Sequence, residues 1–211
     1  MALTFPRSLP NLDDIQQISV RKTSIVGVSQ GMFSLNQQVQ KHSGQRWEVE
    51  YTIVPLNRAD MDEWWAWIIS MNGREKTFYG VLQAPNEIKG TAKNYAGPLV
   101  SGAHAARAGS LSIYTAPTEV TGYLKAGDIF QIGSVSADAR LYMCLEDVTT
   151  DDYGEATFDI WPDLYSALPN AEAITVAAPV GVFRMQENSA EILIDNTSTR
   201  KGLRFSAIGV V

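Results

Sequence analysis

The chain has 211 residues, of which 45% are hydrophobic and 19% are charged. This composition is typical of a folded globular protein and excludes a disordered chain. The formal net charge is −6, and no stretch concentrates Lys or Arg, which argues against a nucleic-acid-binding function. Cys144 is the only cysteine, so an internal disulfide is excluded and assembly in a reducing compartment is expected.

The sequence contains no pattern typical of a targeting or membrane-spanning segment. Its start, MALTFPRSLP, has no apolar run long enough for a signal peptide. The longest weakly polar stretch, AITVAAPVGVF at residues 173–183, is too short to span a membrane and contains Pro179. We therefore expect synthesis in the cytoplasm without membrane insertion.

The N-terminal segments predict an extended arm followed by strands. Residues 1–17 contain two prolines and show no apolar period, which indicates an extended arm. Residues 18–28 and 46–54 predict strands, and the second alternates apolar and polar side chains with a period of two. The intervening residues 33–44, FSLNQQVQKHSG, predict a further polar strand with a turn at Ser43-Gly44.

One helix is predicted over residues 57–73, NRADMDEWWAWIISMNG. Asn57 is a suitable N-cap, and Asp60, Asp62 and Glu63 place negative charge near the positive end of the helix dipole. Gly73 is the expected stop, because glycine readily adopts the left-handed conformation that ends helices.

The predicted helix is apolar over more of its surface than one core contact requires. Its apolar stripe consists of Met61, Trp64, Trp65, Ile68 and Met71. Trp65 and Trp67 lie about 100° and 300° around the axis from Trp64, so at least one should lie partly outside the core. A large aromatic side chain outside the core is a natural anchor for a protein–protein contact. The residues expected at a subunit interface are Trp65, Trp67, Ile69 and Phe5.

From about residue 98 the sequence predicts short strands separated by Gly, Asp, Ser and Pro, as in a small antiparallel barrel or sandwich. These strands are SLSIYTA, GDIFQIG, RLYMCLEDV, EATFDIWP and AITVAAP. KTFYGVL precedes them, and VFRMQ, AEILIDN and LRFSAIGVV follow, with a turn at residues 195–202. This order predicts a first domain made of residues 1–97 and 182–211, and an inserted β domain over residues 98–181.

No combination of residues predicts catalysis or metal binding. His42 and His104 have no Cys or His at metal-ligand spacing, and Ser101 near His104 lacks a G-x-S-x-G turn. No Gly-rich phosphate loop is present. Residues 147–155, DVTTDDYGE, do not follow the EF-hand ligand order, and a hairpin turn at residues 151–154 is favoured. We therefore predict a protein that is not an enzyme and holds no cofactor or metal.

Residues 20–80 contain an ordered set of motifs: a strand with a central Arg, a polar strand, a W-x-V-x-Y-x-I-x-x-L strand, a helix and an x-x-F strand. The positions that define this pattern are Trp47, Val49, Tyr51, Ile53, Leu56, Gly73, Phe78 and Pro85. In this order they resemble the tail-tip proteins of long-tailed bacteriophages. LKAGDIFQIG at 124–133, residues 141–164 and FRM at 183–185 resemble inserted portions of phage tail proteins.

The resemblance, to the distal tail or minor tail-tip proteins, implies a mainly β fold with one principal α-helix. It implies a split β-barrel hub domain closed by that helix and carrying an inserted small antiparallel β domain. The implied function is structural: a virion protein that forms a ring, usually a hexamer, at the distal end of the tail tube and links it to tip or baseplate components. Its partners would be further copies of itself and other tail proteins, with DNA only passing through the lumen.

Two other functions compete with this structural one. The first is a glycan-binding module for host-surface adhesion on the inserted domain, with Tyr123, Trp161 and Tyr165 stacking on sugar rings. An inward-facing Trp161 ahead of Pro162 is the competing interpretation of that tryptophan. The second is a cell-wall-degrading enzyme, for which the sequence supplies no placed acid or metal site.

Overall fold

The protein is mainly β. The computed structural model describes residues 3–54, 57–83, 88–134, 138–191, 193–194 and 200–210. Strands account for 42% and helices for 11%, with one α-helix in the described ranges, which confirms the predicted mainly β fold with one principal helix. The described strands form two six-stranded sheets and one two-stranded sheet.

The elements follow in chain order. The strands are β1 (Arg7–Ser8), β2 (Ile15–Gln30), β3 (Gln37–Ile53), β4 (Thr77–Gly80), β5 (Leu99–Val100), β6 (Ser110–Tyr114), β7 (Ile129–Ile132), β8 (Arg140–Cys144), β9 (Ala156–Trp161), β10 (Ile174–Thr175), β11 (Gly181–Met185), β12 (Leu193–Ile194), β13 (Arg200–Lys201) and β14 (Leu203–Gly209). The α-helix is α1 (Arg58–Met71), and short 3-10 turns cover Leu12–Asp14 and Thr91–Asn94.

The first sheet has the order β1-β4-β11-β14-β3-β2 and curls into a nearly closed barrel. Its strands come from residues 7–80 and 181–209, and its pairs are antiparallel except β1 with β4. The alternation predicted for β3 is observed, because Trp47, Val49 and Tyr51 point into the first core. The N-terminal extension predicted at residues 1–17 is not a free segment, because its strand β1 pairs with β4 and extends the barrel sheet.

Helix α1 begins and ends close to the residues predicted from sequence. The Asn57 side chain accepts a hydrogen bond from the Asp60 backbone N–H at 2.9 Å, which satisfies one of the free donors at the helix start. Asn72 and Gly73 follow the last turn with φ values of 51° and 61°. This left-handed backbone stops the helix, as the glycine at position 73 predicted.

The second sheet has the order β10-β7-β8-β9-β6-β5 and is antiparallel throughout its described pairs. It encloses a second core, which also includes Ile88 and Ala92 from the segment before residue 98. The buried Asp128 carboxylate holds that segment in place by accepting hydrogen bonds from the backbone N–H groups of Lys89 and Gly90, at 2.7 and 2.9 Å.

The two sheets are in direct contact through tryptophans. Trp47 Nε1 donates to the Leu141 carbonyl at 2.9 Å, and the Trp47 and Trp161 rings meet edge to face with centroids 4.3 Å apart. The Gln45 side chain accepts a hydrogen bond from the Asp163 backbone N–H at 2.7 Å. The indole of Trp47 therefore belongs to the first core while its polar edge is satisfied by the second sheet.

The predicted turn at Ser43-Gly44 is wrong, because β3 continues through these residues, with a bulge opposite Ile25 of β2. The chain reverses instead at residues 31–36, where Gly31 donates to the Asn36 carbonyl at 2.9 Å. Gly44 instead leaves room for the Ile25 side chain of β2, because a Cβ atom at position 44 would lie 2.5 Å from Ile25 Cδ1. The predicted turn at residues 195–202 falls mainly outside the described residues, as do Leu56 and Pro85.

The buried hydroxyl of Tyr51 makes the stability of the fold depend on pH in the alkaline range. This hydroxyl donates to the Val81 carbonyl at 2.7 Å and accepts from the Val81 N–H at 3.0 Å. Burial raises the pKa of Tyr51 above its usual value near 10. The unfolded chain therefore loses this proton first, so the stability that Tyr51 contributes is complete below about pH 10 and is lost as the pH rises further.

Tyr51→Phe should lower the free energy of unfolding by about 1–3 kcal/mol at neutral pH, because both polar groups of Val81 lose their partner. Just above pH 10, the free energy of unfolding of wild type should fall more steeply with pH than that of the variant. The difference between the two slopes should be about 1.4 kcal/mol per pH unit. Urea unfolding between pH 7 and pH 11 measures both effects. Tyr153→Phe, at a ring that is 83% exposed, is the neutral-pH control. Equal alkaline slopes for Tyr51→Phe and wild type would contradict the prediction.

Candidate subunit interface

His104 and the turn at residues 151–154, which were candidates for catalysis and for metal binding, have structural roles. His104 Nε2 lies 3.1 Å from the Ser101 carbonyl and accepts a hydrogen bond from the Ser112 N–H at 3.3 Å. The predicted hairpin turn at residues 151–154 is confirmed, with Gly154 N donating to the Asp151 carbonyl at 3.1 Å. Within the described ranges, no three His, Cys, Asp or Glu side chains are close enough to share a metal ion.

Cys144 is buried, and its Sγ donates to the Glu146 carbonyl at 3.1 Å. Burial raises the pKa of the Cys144 thiol to about 11, so little reactive thiolate forms at neutral pH. In the part of the chain that the structure describes, no helix has the length and hydrophobicity needed to cross a membrane.

The three aromatic residues considered for glycan stacking do not form one open platform. Tyr123 is completely buried in the second core, so its expected contact with a sugar is wrong. Its backbone N–H pairs with the Val148 carbonyl at 2.9 Å, which holds the segment against the core. Trp161 is half-buried against Trp47, and the half-buried Tyr165 lies 5.9 Å from the Tyr142 ring.

Of the four residues expected at a subunit interface, Trp67 is placed differently by the structure. It is only 2% exposed, so its expected direct contact with another subunit is wrong. The N-terminal segment covers this side of the helix, and Trp67 Nε1 donates to the Ser8 carbonyl at 2.8 Å. The Trp67 ring also packs against Phe78 and Phe205, with centroids 5.1 and 5.7 Å apart. The sequence indicates no such partner for the second face of the helix.

The other three expected interface residues retain accessible surface. Ile69 is 59% exposed, and Trp65 is half-buried at the edge of the first core. Phe5 is also half-buried, with Lys76 Nζ 5.6 Å from its ring centroid. Their participation in a subunit contact stays a prediction.

Trp65 and Ile69 line a groove of about 710 Å³ between α1, β14 and the residues after β11. We call it the Trp65 groove. Its apolar lining includes Met185 and Phe205, and its polar lining includes three carboxylates and one guanidinium. The charged residues are Glu50, Glu187, Glu191 and Arg204. Arg204 Nε lies 3.2 Å from Glu50 Oε1, so one of the three carboxylates is paired within the chain.

The second unusual surface is a two-stranded ribbon formed by the distal halves of β2 and β3. We call residues 24–43 the arm, because every residue in this range is exposed. Strand β14 pairs with β3 only from Glu48 to Ile53, so no described third strand accompanies the arm. Its exposed large apolar side chains are Ile25, Val26, Val28, Met32, Phe33, Leu35 and Val39.

The register of the arm gathers three valines on one face. Val28 lies opposite Val39, and Val26 lies opposite Lys41 in the same alternation. An isolated two-stranded ribbon is marginally stable in water, and monomeric proteins rarely expose large contiguous apolar patches. Among the described residues, the arm is therefore the surface that most needs a covering partner.

Comparison with known proteins assigns no family to the chain. No protein-family model matches it. A comparison with curated proteins gives no match either. The arm, the Trp65 groove and the sequence motifs of residues 20–80 are therefore the features of the chain that bear on its function.

The different burial of Trp65 and Trp67 predicts different effects on folding. Trp67→Ala should lower the free energy of unfolding by about 3–5 kcal/mol, because it removes a buried ring and leaves a cavity. Trp65→Ala should cost no more than about 2 kcal/mol, since part of that ring is already in water. Urea unfolding of the two variants at neutral pH measures both values. A larger loss for Trp65→Ala than for Trp67→Ala would contradict this assignment.

Proposed function

We propose that this protein is a structural component of a bacteriophage virion, a distal tail protein that forms a homo-oligomeric ring at the end of the tail tube. In this role it links the tube to tail-tip or baseplate components. A hexamer is the expected ring. Its partners are further copies of itself and neighbouring tail proteins, and DNA passes through the lumen without specific contacts.

The observation that carries this proposal is the exposed arm. Seven large apolar side chains stand in water along residues 24–43, and both edges of the ribbon are free of further described strands. Free sheet edges and apolar faces invite pairing with other chains, and a closed ring is a regular way to cover them. A function in assembly accounts for a surface that folding alone does not explain.

The fold supports the same proposal at a finer level. We interpret the nearly closed barrel, with α1 packed on it, as the split-barrel hub domain of a tail-tip protein. The second sheet is then the inserted domain, whose strands occupy residues 99–175 between β4 and β11. The glycan-binding alternative has less support, because Tyr123 is buried and Trp161 packs edge-on against Trp47.

Native mass spectrometry and negative-stain electron microscopy of the purified chain at high micromolar concentration test this proposal. The expected result is a closed ring with a single number of subunits. A protein that stays strictly monomeric over the whole concentration range would contradict it.

Replacing the three arm valines should separate assembly from folding. The variant Val26→Thr/Val28→Thr/Val39→Thr keeps β-branched side chains, so the strands retain their preferred conformation. Each change replaces one methyl group by a hydroxyl. At about 0.8 kcal/mol for each buried carbon, we expect subunit association to weaken by at least about 50-fold.

The same variant should keep its melting temperature within a few degrees of wild type, because exposed substitutions change stability little. Mass photometry and thermal unfolding give the two readouts. Leu145→Thr is a matched control at a half-exposed residue away from the arm. Association of the triple variant as tight as that of wild type would contradict a role for the arm valines.

A further inference from the structure

We propose that Asp163 fixes the direction of the arm by holding β3 on both sides of its bulge. The bulge consists of residues 42–44, which lie opposite Ile25 of β2. We call the contacts of Asp163 with β3 the Asp163 clamp. In this role Asp163 is a positioning residue, which acts on the arm from the second sheet. The role belongs to the single chain and is independent of the proposed ring.

The bulge is the point at which the arm can bend. Between the pairs Ser24–Gln45 and Val26–Lys41, β2 advances by two residues and β3 by four. Such an irregularity interrupts the ladder of backbone hydrogen bonds and bends the strand. A two-stranded ribbon is only marginally stable by itself, so beyond the bulge its direction needs support from outside the ribbon.

Asp163 contacts β3 on both sides of the bulge with two different groups. Its backbone N–H donates to the side-chain oxygen of the buried Gln45 at 2.7 Å, on the barrel side. Its carboxylate pairs with Lys41 Nζ at 2.6 Å, on the arm side. The Asp163 side chain is only 17% exposed, which shields the pair from the screening that weakens fully exposed ion pairs. The clamp therefore has a buried end on the barrel and an ionic end on the arm.

The neighbouring residue Trp161 supports the clamp. Trp161 is the last residue of β9, and its ring packs edge to face on Trp47 of β3 with centroids 4.3 Å apart. Lys22 Nζ of β2 lies 6.0 Å from the centroid of the same ring, at the outer limit of a cation–π contact. Residues 161–163 of the second sheet thus contact both strands of the ribbon at the base of the arm.

The length of the arm amplifies any movement at the clamp. The seven steps from Gly44 to Gln37 span about 23 Å at ~3.3 Å per residue, so a swing of about 10° at the bulge moves the turn by about 4 Å. The turn carries Phe33 and Met32, the two most exposed large apolar side chains that the structure describes. The clamp therefore determines where this apolar surface meets a partner.

A distance measurement between two spin labels tests the clamp in the full-length chain. Labels at Gln38→Cys in the arm and Ala66→Cys on the exposed side of α1 report the direction of the arm relative to the barrel. Native Cys144 is buried with a raised pKa and stays unlabelled at neutral pH. An excess of unlabelled chain removes distances between subunits. Electron–electron double resonance then gives the distribution of the single remaining distance.

Asp163→Ala removes the carboxylate and keeps the backbone N–H that donates to Gln45. We expect it to broaden the distance distribution by about 4 Å, the movement that the length of the arm predicts. Lys41→Ala removes the other half of the ion pair and should broaden the distribution equally. The double variant should broaden it no further, because both changes break the same contact. Asp159→Ala, which removes an exposed carboxylate from β9, is the matched control and should leave the distribution unchanged.

Wild-type distributions in both single variants would overturn the clamp. Additive broadening in the double variant would overturn it too, because the two side chains would then act separately. Equal broadening by Asp159→Ala would assign the effect to net charge and not to the contact. Thermal unfolding shows whether each variant is folded, and the exposed Lys41→Ala change keeps the test decisive if Asp163→Ala unfolds. A strictly monomeric chain with the expected distances would contradict the proposed ring and leave the clamp intact.

Discussion

The architecture depends on one strand, β3, which is buried at one end and exposed at the other. Its 17 residues far exceed the usual strand length of about 5–6. From Glu48 to Ile53 it lies between β14 and β2, and its inward side chains fill the first core. Beyond that point β2 is its only described strand neighbour, so the same alternation of side chains continues into water.

A second constraint explains why one helix carries three tryptophans. Trp64 Nε1 donates to the buried Asp14 carboxylate at 2.8 Å, and Trp67 Nε1 donates to the Ser8 carbonyl at the same distance. Both indoles thus fasten the N-terminal segment to the helix while their rings fill the barrel. Of the three, only Trp65 is left at the surface of α1, where it borders the groove.

Features that depend on residues close together in the chain could be predicted from the sequence. The alternation in β3 and the Asn57 cap identified the strand and the helix, because both signals act over a few residues. Burial of Trp67 could not be predicted, since its covering partner lies 59 positions away in the chain. Gly44 was interpreted as a turn signal, yet it accommodates the Ile25 side chain, a cross-strand contact invisible to local patterns. Similarly, Val26 and Val28 alternate like core residues, and only the lack of a described third strand shows that they are exposed.

The arm also has features that oppose uncontrolled pairing of its edges. The register shift between Ser24 and Val26 sets Ile25 of β2 against three residues of β3, 42–44, so the bulge lies on β3 and increases the local twist of the ribbon. Arg21 and Lys22 lie near the base of the same edge strand, where another copy in register would bring like charges together. Like charges at the base therefore discourage extension of the sheet in register, which leaves the apolar side chains of the arm, rather than its edges, as the surface on which the proposed ring depends.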